Sequence, residues 1–435
     1  MSELLETQNN DAETVLLIGV VLRNNEEWKV KDTMDELAQL AESAGAEVKG
    51  RFIVRQQKIK AGHYIGTGKA EEISNWIKEN RVSMVVFDDD LTPAQGRNLQ
   101  NVFETRVLDR TQLILDIFAQ RAQTKEGCLQ VELAQHMYLL PRLRNMWTHL
   151  ERQKGGIGLR GPGETQLEMD RRRLQELIRT LKRDLALVRT RRNEQRRGRK
   201  RHGWALVSIV GYTNAGKSTL LNRLSGADIF AEDQLFATLD PTTRQVELPN
   251  HEPMLMTDTV GFIQKLPHHL VDSFKATLEE VVEADLLVHV IDASHPQVDT
   301  QIEAVHKVLD EIGGLEKPML YVFNKIDDER GRNAAKRLQR QFPKSVAVSA
   351  REGENIDLLF DELADCLKGR KVEMKLSVPL SEGKLLSTLQ KNASILEEEY
   401  EGPNAELLVR VSPQLAAQCK PFSVDPIEEP EWQDG

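Results

Sequence analysis

The chain has 435 residues, 40% of them hydrophobic and 29% charged, with a formal net charge of −10. That length exceeds one ordinary domain and allows sizeable cores, which excludes a small stapled scaffold and a wholly disordered chain. Cys128, Cys366 and Cys419 stand far apart with no C-x-x-C or histidine-rich partner, the amino terminus is acidic and polar, and no apolar run approaches the ~18 residues of a membrane helix. A monomeric cytoplasmic protein without membrane insertion, disulfide framework or zinc site is expected.

Residues 1–110 alternate apolar strands (TVLLIGVVL, EVKGRFIVRQ, VSMVVFDDD) with amphipathic helices (KDTMDELAQLAESAG, KAEEISNWIKEN), the pattern of an α/β subdomain with a mainly parallel sheet. Within it, GTGK at Gly66–Lys69 is too short for a phosphate loop and reads as a turn into a helix, with a second nucleotide contact as the alternative. FDDD at Phe87–Asp90 reads as a solvated turn, with metal binding as the alternative.

Residues 111–203 read as a helical hairpin ending in a basic linker. Thr111 to Arg144 reads as helix, with Leu129, Leu133, Met137 and Leu140 on one stripe and Pro141 to end it. Leu174, Ile178, Leu181, Leu185 and Val188 form a second stripe with alternating steps of four and three. The segment GGIGLRGPGETQLEMD joins the two. Its Gly156, Gly158 and Gly161 spell G-x-G-x-x-G, but the polar THLERQK precedes them and not an apolar strand, so a dinucleotide site is not expected. Gly155, Gly156, Gly158, Gly161 and Gly163 instead predict a flexible tip bearing Arg160, with Glu164 and Thr165 leading into the next helix. From Arg171 to His202 there are fourteen Lys or Arg against three acids, whereas Pro421–Gly435 holds five acids and no base. Beside a glycine tip, such a basic cluster suits an RNA backbone, although a solubilising helix face carries similar charge. In the basic run RRNEQRRGRKRHG the apolar periodicity stops, and a linker is expected there.

Residues 204–370 again alternate strand and helix, with strands apolar enough to be buried on both faces, the pattern of a mostly parallel sheet flanked by helices. Gly211, Tyr212, Thr213, Asn214, Ala215, Gly216, Lys217, Ser218 and Thr219 fit G-x-x-x-x-G-K-[ST] directly after the strand WALVSIV. Backbone N–H groups there can wrap a β-phosphate, Lys217 supplies charge to the β- and γ-phosphates, and Ser218 offers a hydroxyl to magnesium. Asp258, Thr259, Val260 and Gly261 form D-x-x-G forty-one residues after Lys217, where a strand-end carboxylate can hold magnesium through water and Gly261 frees the next loop. Asn324, Lys325, Ile326 and Asp327 form N-K-x-D. The Asp327 carboxylate can accept from guanine's ring NH and amine, a pair adenine lacks, so GTP is expected over ATP. Ser349 and Ala350 would bring a backbone NH to the base's carbonyl oxygen. A further threonine must reach magnesium, and FATLDPTTR offers Thr238, Thr242 and Thr243 without a chemical ground for choosing. Residues 371–435 suggest strand, helix and strand in a small α+β terminal domain with an acidic tail.

These ordered motifs resemble the translation-factor-like GTPases, and FATLDPTTR, DTVGFI and GGIGLRGPGE together resemble the HflX family of ribosome-associated GTPases. The resemblance runs from the amino-terminal domain to Arg370 and gives Thr238 the magnesium role, within a loop Phe236, Ala237, Thr238, Leu239 and Asp240 at the nucleotide. Lys217, Thr238 and Gly261 are then the expected catalytic positions, and Ser218, Thr238 and, through water, Asp258 the metal positions. Phe262 stands where Ras-like GTPases have a water-orienting glutamine, which implies slow hydrolysis until a ribosomal particle stimulates it. Asn214 resembles the asparagine that helps hold K+ in potassium-activated GTPases; turn geometry alone would also suit it. The family implies binding to the large ribosomal subunit and its RNA, with the tip loop near the peptidyl-transferase centre, and the splitting of stalled ribosomes under stress. A GTPase of ribosome assembly or RNA modification, and a GTP-dependent RNA-binding scaffold, are the competing readings.

Overall fold

Two mainly parallel sheets and one antiparallel sheet organise the computed structural model, which describes residues 13–23, 27–143, 162–201, 204–226, 235–265, 278–368, 372–411 and 413–424. The expected glycine tip from Gly155 to Gly161 with its Arg160 and the acidic tail from 425 lie outside the described residues; of the helix expected after Leu270, residues 278–283 are described and are helical. The chain divides into two compact units: Met1–Val188 with Glu232–Asp240 and Val260–Thr277, and Arg189–Ala231 with Pro241–Thr259 and Leu278–Gly435. No helix among the described residues is long and apolar enough to cross a membrane.

In the first unit, strands β1 (Thr14–Leu22), β2 (Glu47–Gln56), β3 (Met84–Phe87) and β4 (Arg106–Asp109) form a parallel sheet in the order β2-β1-β3-β4. The central β1 is buried on both faces, as its continuous apolar run requires. Helix α1 (Glu27–Ser43) turns Met34 and Leu37 inward, while α2 (Thr67–Asn80) and α3 (Pro93–Phe103) bury Ile73, Ile77, Leu99 and Phe103. Gly66 of the GTGK stretch is the N-cap of α2, in keeping with the turn reading.

The single helix expected over Thr111–Arg144 is two helices, α4 (Arg110–Arg121) and α5 (Lys125–Leu139). Thr124 makes the break by accepting the Gly127 amide at 3.0 Å as the N-cap of α5. Helix α6 (Pro162–Arg201) packs Leu174, Ile178, Leu181 and Leu185 against Leu133, with Leu129, Met137 and Leu140 alongside. The two sequence stripes thus meet. Gly163, expected in the tip, lies in the first turn of α6, and Glu164 and Thr165 follow within that helix. The helix also runs to Arg201, where loss of apolar periodicity suggested a linker; Arg, Lys, Gln and Glu are good helix formers without any apolar stripe.

In the second unit, β5 (Ala205–Gly211), β6 (Thr242–Glu247), β7 (Pro253–Asp258), β8 (Leu286–Asp292), β9 (Met319–Asn324) and β10 (Ser345–Ala347) assemble in the order β10-β9-β8-β5-β7-β6. Only β6 of these is antiparallel to its neighbour. Helices α7 (Lys217–Ser225), α8 (Val298–Glu311), α9 (Glu329–Gln341) and α10 (Ile356–Lys368) accompany the sheet. The carboxy-terminal segment adds β11 (Val372–Pro379), α11 (Gly383–Asn392), β12 (Ser394–Glu401), β13 (Asn404–Val411) and α12 (Pro413–Cys419), with sheet order β11-β13-β12. Its EEEYEGPNAELLVRV stretch is a hairpin turning at Gly402, with φ +61°, where a single final strand was expected. The acid-rich β12 carries too few apolar residues to announce itself.

The solvated turn expected at FDDD is overturned at its first acid. Asp88 is 1% exposed and accepts from Arg110 Nη1 at 2.9 Å, Thr33 Oγ1 at 2.8 Å and Lys265 Nζ at 2.5 Å. Burial alone would raise its pKa, but Arg110 and Lys265 hold it below the usual carboxylate range. Arg110, itself 1% exposed, also pairs with Glu36. Removing one side of such a group strands the other charge in the core. Arg110→Met is expected to destabilise the protein by about 3–5 kcal/mol in urea unfolding, whereas Arg55→Met, which breaks an exposed pair with Glu27, should leave the unfolding midpoint nearly unchanged.

Candidate functional site

Strand β5 ends at Gly211, and the next five residues turn back into α7, whose first residue is Lys217. Asn214 adopts φ +58° and Gly216 φ +92°, so the loop is closed by left-handed backbone at both positions. Asparagine tolerates that geometry. At Gly216 a Cβ would lie 2.3 Å from Asn324 Nδ2, so close approach as well as φ demands glycine. Tyr212, Thr213 and Ala215 are buried, with Ser218 and Thr219 half-buried in the first turn of α7.

Lys217 is 6% exposed and donates to the Tyr212 carbonyl at 2.9 Å. Burial pushes its pKa down to about 8, although the charge of Asp258 acts the other way. Ser218 Oγ donates to Asp258 Oδ2 at 2.6 Å, which sets a hydroxyl beside a strand-end carboxylate. Hard oxygen donors of this kind suit Mg2+. Thr259 donates to the Ile209 carbonyl at 2.7 Å, fixing the exit from β7.

The base-recognition motif follows β9. Asn324, 3% exposed, donates through Nδ2 to the Ala215 carbonyl at 2.9 Å and accepts the Ala350 amide on Oδ1 at 3.0 Å. One side chain thereby joins the phosphate loop to the Ser349–Ala350 loop. Asp327 is exposed and accepts from Ser349 Oγ at 2.7 Å, while Ile326 anchors the turn in the core. The amides of Ser349 and Ala350 donate to the Glu354 carbonyl at 3.1 Å and to Asn324 Oδ1 at 3.0 Å, bonds that frame the loop expected at the base. Arg223 of α7 adds contacts to the carbonyls of Ala350, at 3.3 Å, and Arg351, at 2.5 Å. Lys325 pairs with Asp292 at 2.8 Å. Neither Arg223 nor Asp292 emerges from the motif reading; the latter's signal is its place at the end of an apolar strand, as for Asp258.

The second unit thus gathers Gly211 to Thr219, Asp258, Thr259, Asn324 to Asp327, Ser349 and Ala350. Phe236, Ala237, Thr238, Leu239, Asp240, Val260 and Gly261 are assigned to the first unit. There Phe236 packs edge-on against Phe118, with ring centroids 4.7 Å apart, and Leu235 donates to Ser43 Oγ at 3.3 Å. Asp240 accepts from the Gln123 and Thr124 amides at 2.9 and 2.8 Å and from the Thr124 hydroxyl. Phe262 is 2% exposed, and Lys265 binds Asp88 at 2.5 Å and Asp89 at 2.7 Å. Of the threonines left open by the sequence, Thr242 and Thr243 lie in β6, where Thr243 Oγ1 is 2.9 Å from Thr257 Oγ1; Thr238 lies outside any strand.

Three family profiles match: a GTP-binding GTPase N-terminal domain over residues 31–119, a GTP-binding GTPase middle region over 121–199, and a 50S ribosome-binding GTPase over 206–325. The GTPase HflX of Flavobacterium psychrophilum is 51% identical over 324 residues, 74% of this chain and 78% of that one. The GTPase HflX of Lacrimispora saccharolytica is 45% identical over 401 residues, 92% and 94% of the two chains. Among solved structures, a GTP-binding protein from Sulfolobus solfataricus in complex with GDP aligns over 81% of this chain and 98% of its own, at 24% identity and a TM-score of 0.44. With a phosphate loop, a guanine motif, the three profiles and the two HflX relatives, the chain belongs to the HflX family and is a GTP-hydrolysing enzyme.

Proposed function

We propose that this GTPase binds the large ribosomal subunit and, in its GTP state, separates stalled ribosomes into subunits. The observation that carries the RNA contact is the two-sided character of α6. Its apolar stripe is spent on α5, which leaves Arg171, Arg172, Arg173, Arg179, Lys182 and Arg183 exposed. A phosphate backbone is the partner such a face suits. The profile over residues 206–325 describes a 50S ribosome-binding GTPase, which supports the choice of particle. The glycine segment would extend this contact to RNA, in the cytoplasm.

Lys217 and the amides of Gly211–Thr219 would hold the phosphates, Asp327 would read the base, and Ser218, Thr238 and, through water, Asp258 would hold Mg2+. The metal would neutralise charge between the β- and γ-phosphates. Phe262 cannot hydrogen-bond an attacking water, and its ring is buried, so the added group that orients water comes from the particle. Thr238 and Gly261 would take up their GTP positions together with the loops around them. Those loops are held by Phe118, Thr124, Asp88 and Asp89 of the first unit, so ordering them with GTP biases that unit, and hydrolysis releases the bias.

Purified large subunits are expected to raise GTP turnover by about tenfold or more, and intact ribosomes given the protein with a non-hydrolysable GTP analogue should sediment as separate subunits. Stimulation without separation would instead favour an assembly role, and binding without any nucleotide dependence a scaffold. Replacing Arg179, Lys182 and Arg183 together by Ala should leave turnover of the free protein unchanged and lower the salt dependence of subunit binding by about two units of log K per log salt. Because a bound phosphate raises the pKa of Lys217 from about 8, GDP binding above pH 8 should take up a proton. Calorimetry in two buffers checks this, and affinity should fall as pH rises through 8. The left-handed backbone accounts for Asn214 without a bound K+, so hydrolysis rates in potassium and sodium at matched ionic strength are expected to be equal.

A further inference from the structure

We infer that Asp292 is a positioning residue for guanine binding, acting through Lys325; the inference rests on the reading of Asn324–Asp327 as the base site. Asp292 is the last residue of β8, and neither of its oxygens is idle. Oδ1 accepts the Ser294 amide at 2.9 Å and the Ser294 hydroxyl at 2.6 Å, while Oδ2 takes the Lys325 ammonium at 2.8 Å. The carboxylate is therefore oriented before it meets the lysine. Its side chain is 14% exposed and that of Lys325 33%, so the pair is shielded better than a surface ion pair.

The surrounding backbone is built to keep the two together. Lys325 sits at φ +65°, a conformation a lysine rarely adopts, between Asn324, which is tied to the phosphate loop, and Asp327, whose carboxylate faces solvent. The Ala293 amide donates to the Asn324 carbonyl at 3.0 Å, which links the end of β8 to the end of β9. Helix α9 closes against both: a Cβ on Gly331 would stand 2.3 Å from the Lys325 carbonyl oxygen and 3.3 Å from the Ser294 nitrogen. With its Cα fixed by the loop and its ammonium fixed by Asp292, the four-carbon stem of Lys325 is held at both ends. A stem so held is a ready apolar surface for the face of a purine whose edge is read by Asp327, and it loses little rotamer freedom when the base arrives. Without Asp292 the lysine would have to be ordered by the nucleotide itself.

Asp292→Asn keeps the shape and an acceptor for Ser294 but cannot accept from the ammonium if its oxygen stays on Ser294. The expected result is GDP and GTP release about tenfold faster, with KM raised to match, kcat at saturating GTP within about twofold of wild type and unfolding temperature unchanged. Inosine diphosphate should weaken by the same factor as GDP, because the stem meets the face and not the edge. In a Lys325→Met background the Asp292→Asn substitution should add nothing. Wild-type release rates, or additive effects in that cycle, would overturn the role. Should Asp292→Asn fail to fold, Ser294→Ala decides instead: release about threefold faster supports the inference and an unchanged rate sinks it. Asp327→Asn tests the underlying reading by itself, since an amide there should exchange preference for GDP with preference for xanthosine diphosphate, whose C2 carries a carbonyl. If GDP is still preferred, the base-site reading falls and Asp292 with it; if the preference exchanges, the Asp292 result stands on its own.

Discussion

The carboxamide of Asn324 is the joint on which the nucleotide site depends. It needs a donor on one side, for the Ala215 carbonyl, and an acceptor on the other, for the Ala350 amide, and both are buried. An aspartate could not donate and a glutamine would carry the group one carbon too far. The joint also explains why the loops must come from these places in the sheet. In the order β10-β9-β8-β5, the phosphate loop follows β5 and the Ser349–Ala350 loop follows β10, with β9 between them carrying Asn324. No main-chain ladder links β5 to β9, so a side chain has to, and Gly216 clears the space for it.

The parts of this site legible in the sequence are those whose chemistry is contiguous. A backbone cradle for phosphate needs glycines and a lysine within nine residues, and a carboxylate for guanine needs one short turn, so spacing alone reveals them. The joints are not contiguous. Arg223 meets carbonyls 127 and 128 residues away, and Lys265 reaches Asp88 across 177. No periodicity connects such pairs, and three successive acids look like a solvated turn until the fold supplies Arg110 to bury one of them. The helical region failed differently. The stripes of α5 and α6 were readable because packing imposes their period, whereas the stop at Ala122–Thr124 depends on one capping hydroxyl, and the run to Arg201 depends on propensity alone.

One consequence of the joints is that the two loops expected to respond to the γ-phosphate are not free appendages of the GTPase sheet. Asp240 holds Gln123 and the N-cap Thr124, just before α5, through three hydrogen bonds, and the opposite commitment of α5 is to the apolar stripe of α6. A displacement at Thr238, two residues before Asp240, therefore bears on a helix whose other face holds the basic one. Packed interiors pass on such displacements because they have few ways to absorb them.

Charge is arranged along the same helix, and net charge is a poor guide to what it binds. The whole chain carries −10, yet the stretch from Arg171 to His202 holds fourteen bases against three acids. At physiological salt the screening length is about 8 Å, so a phosphate beside Arg179 or Arg183 feels those guanidiniums and little of the acid elsewhere. At lower salt the screening length grows, and the net acidity of the rest of the chain is felt at longer range. For the proposed RNA contact, what counts is therefore the local balance along α6 and not the charge of the whole chain.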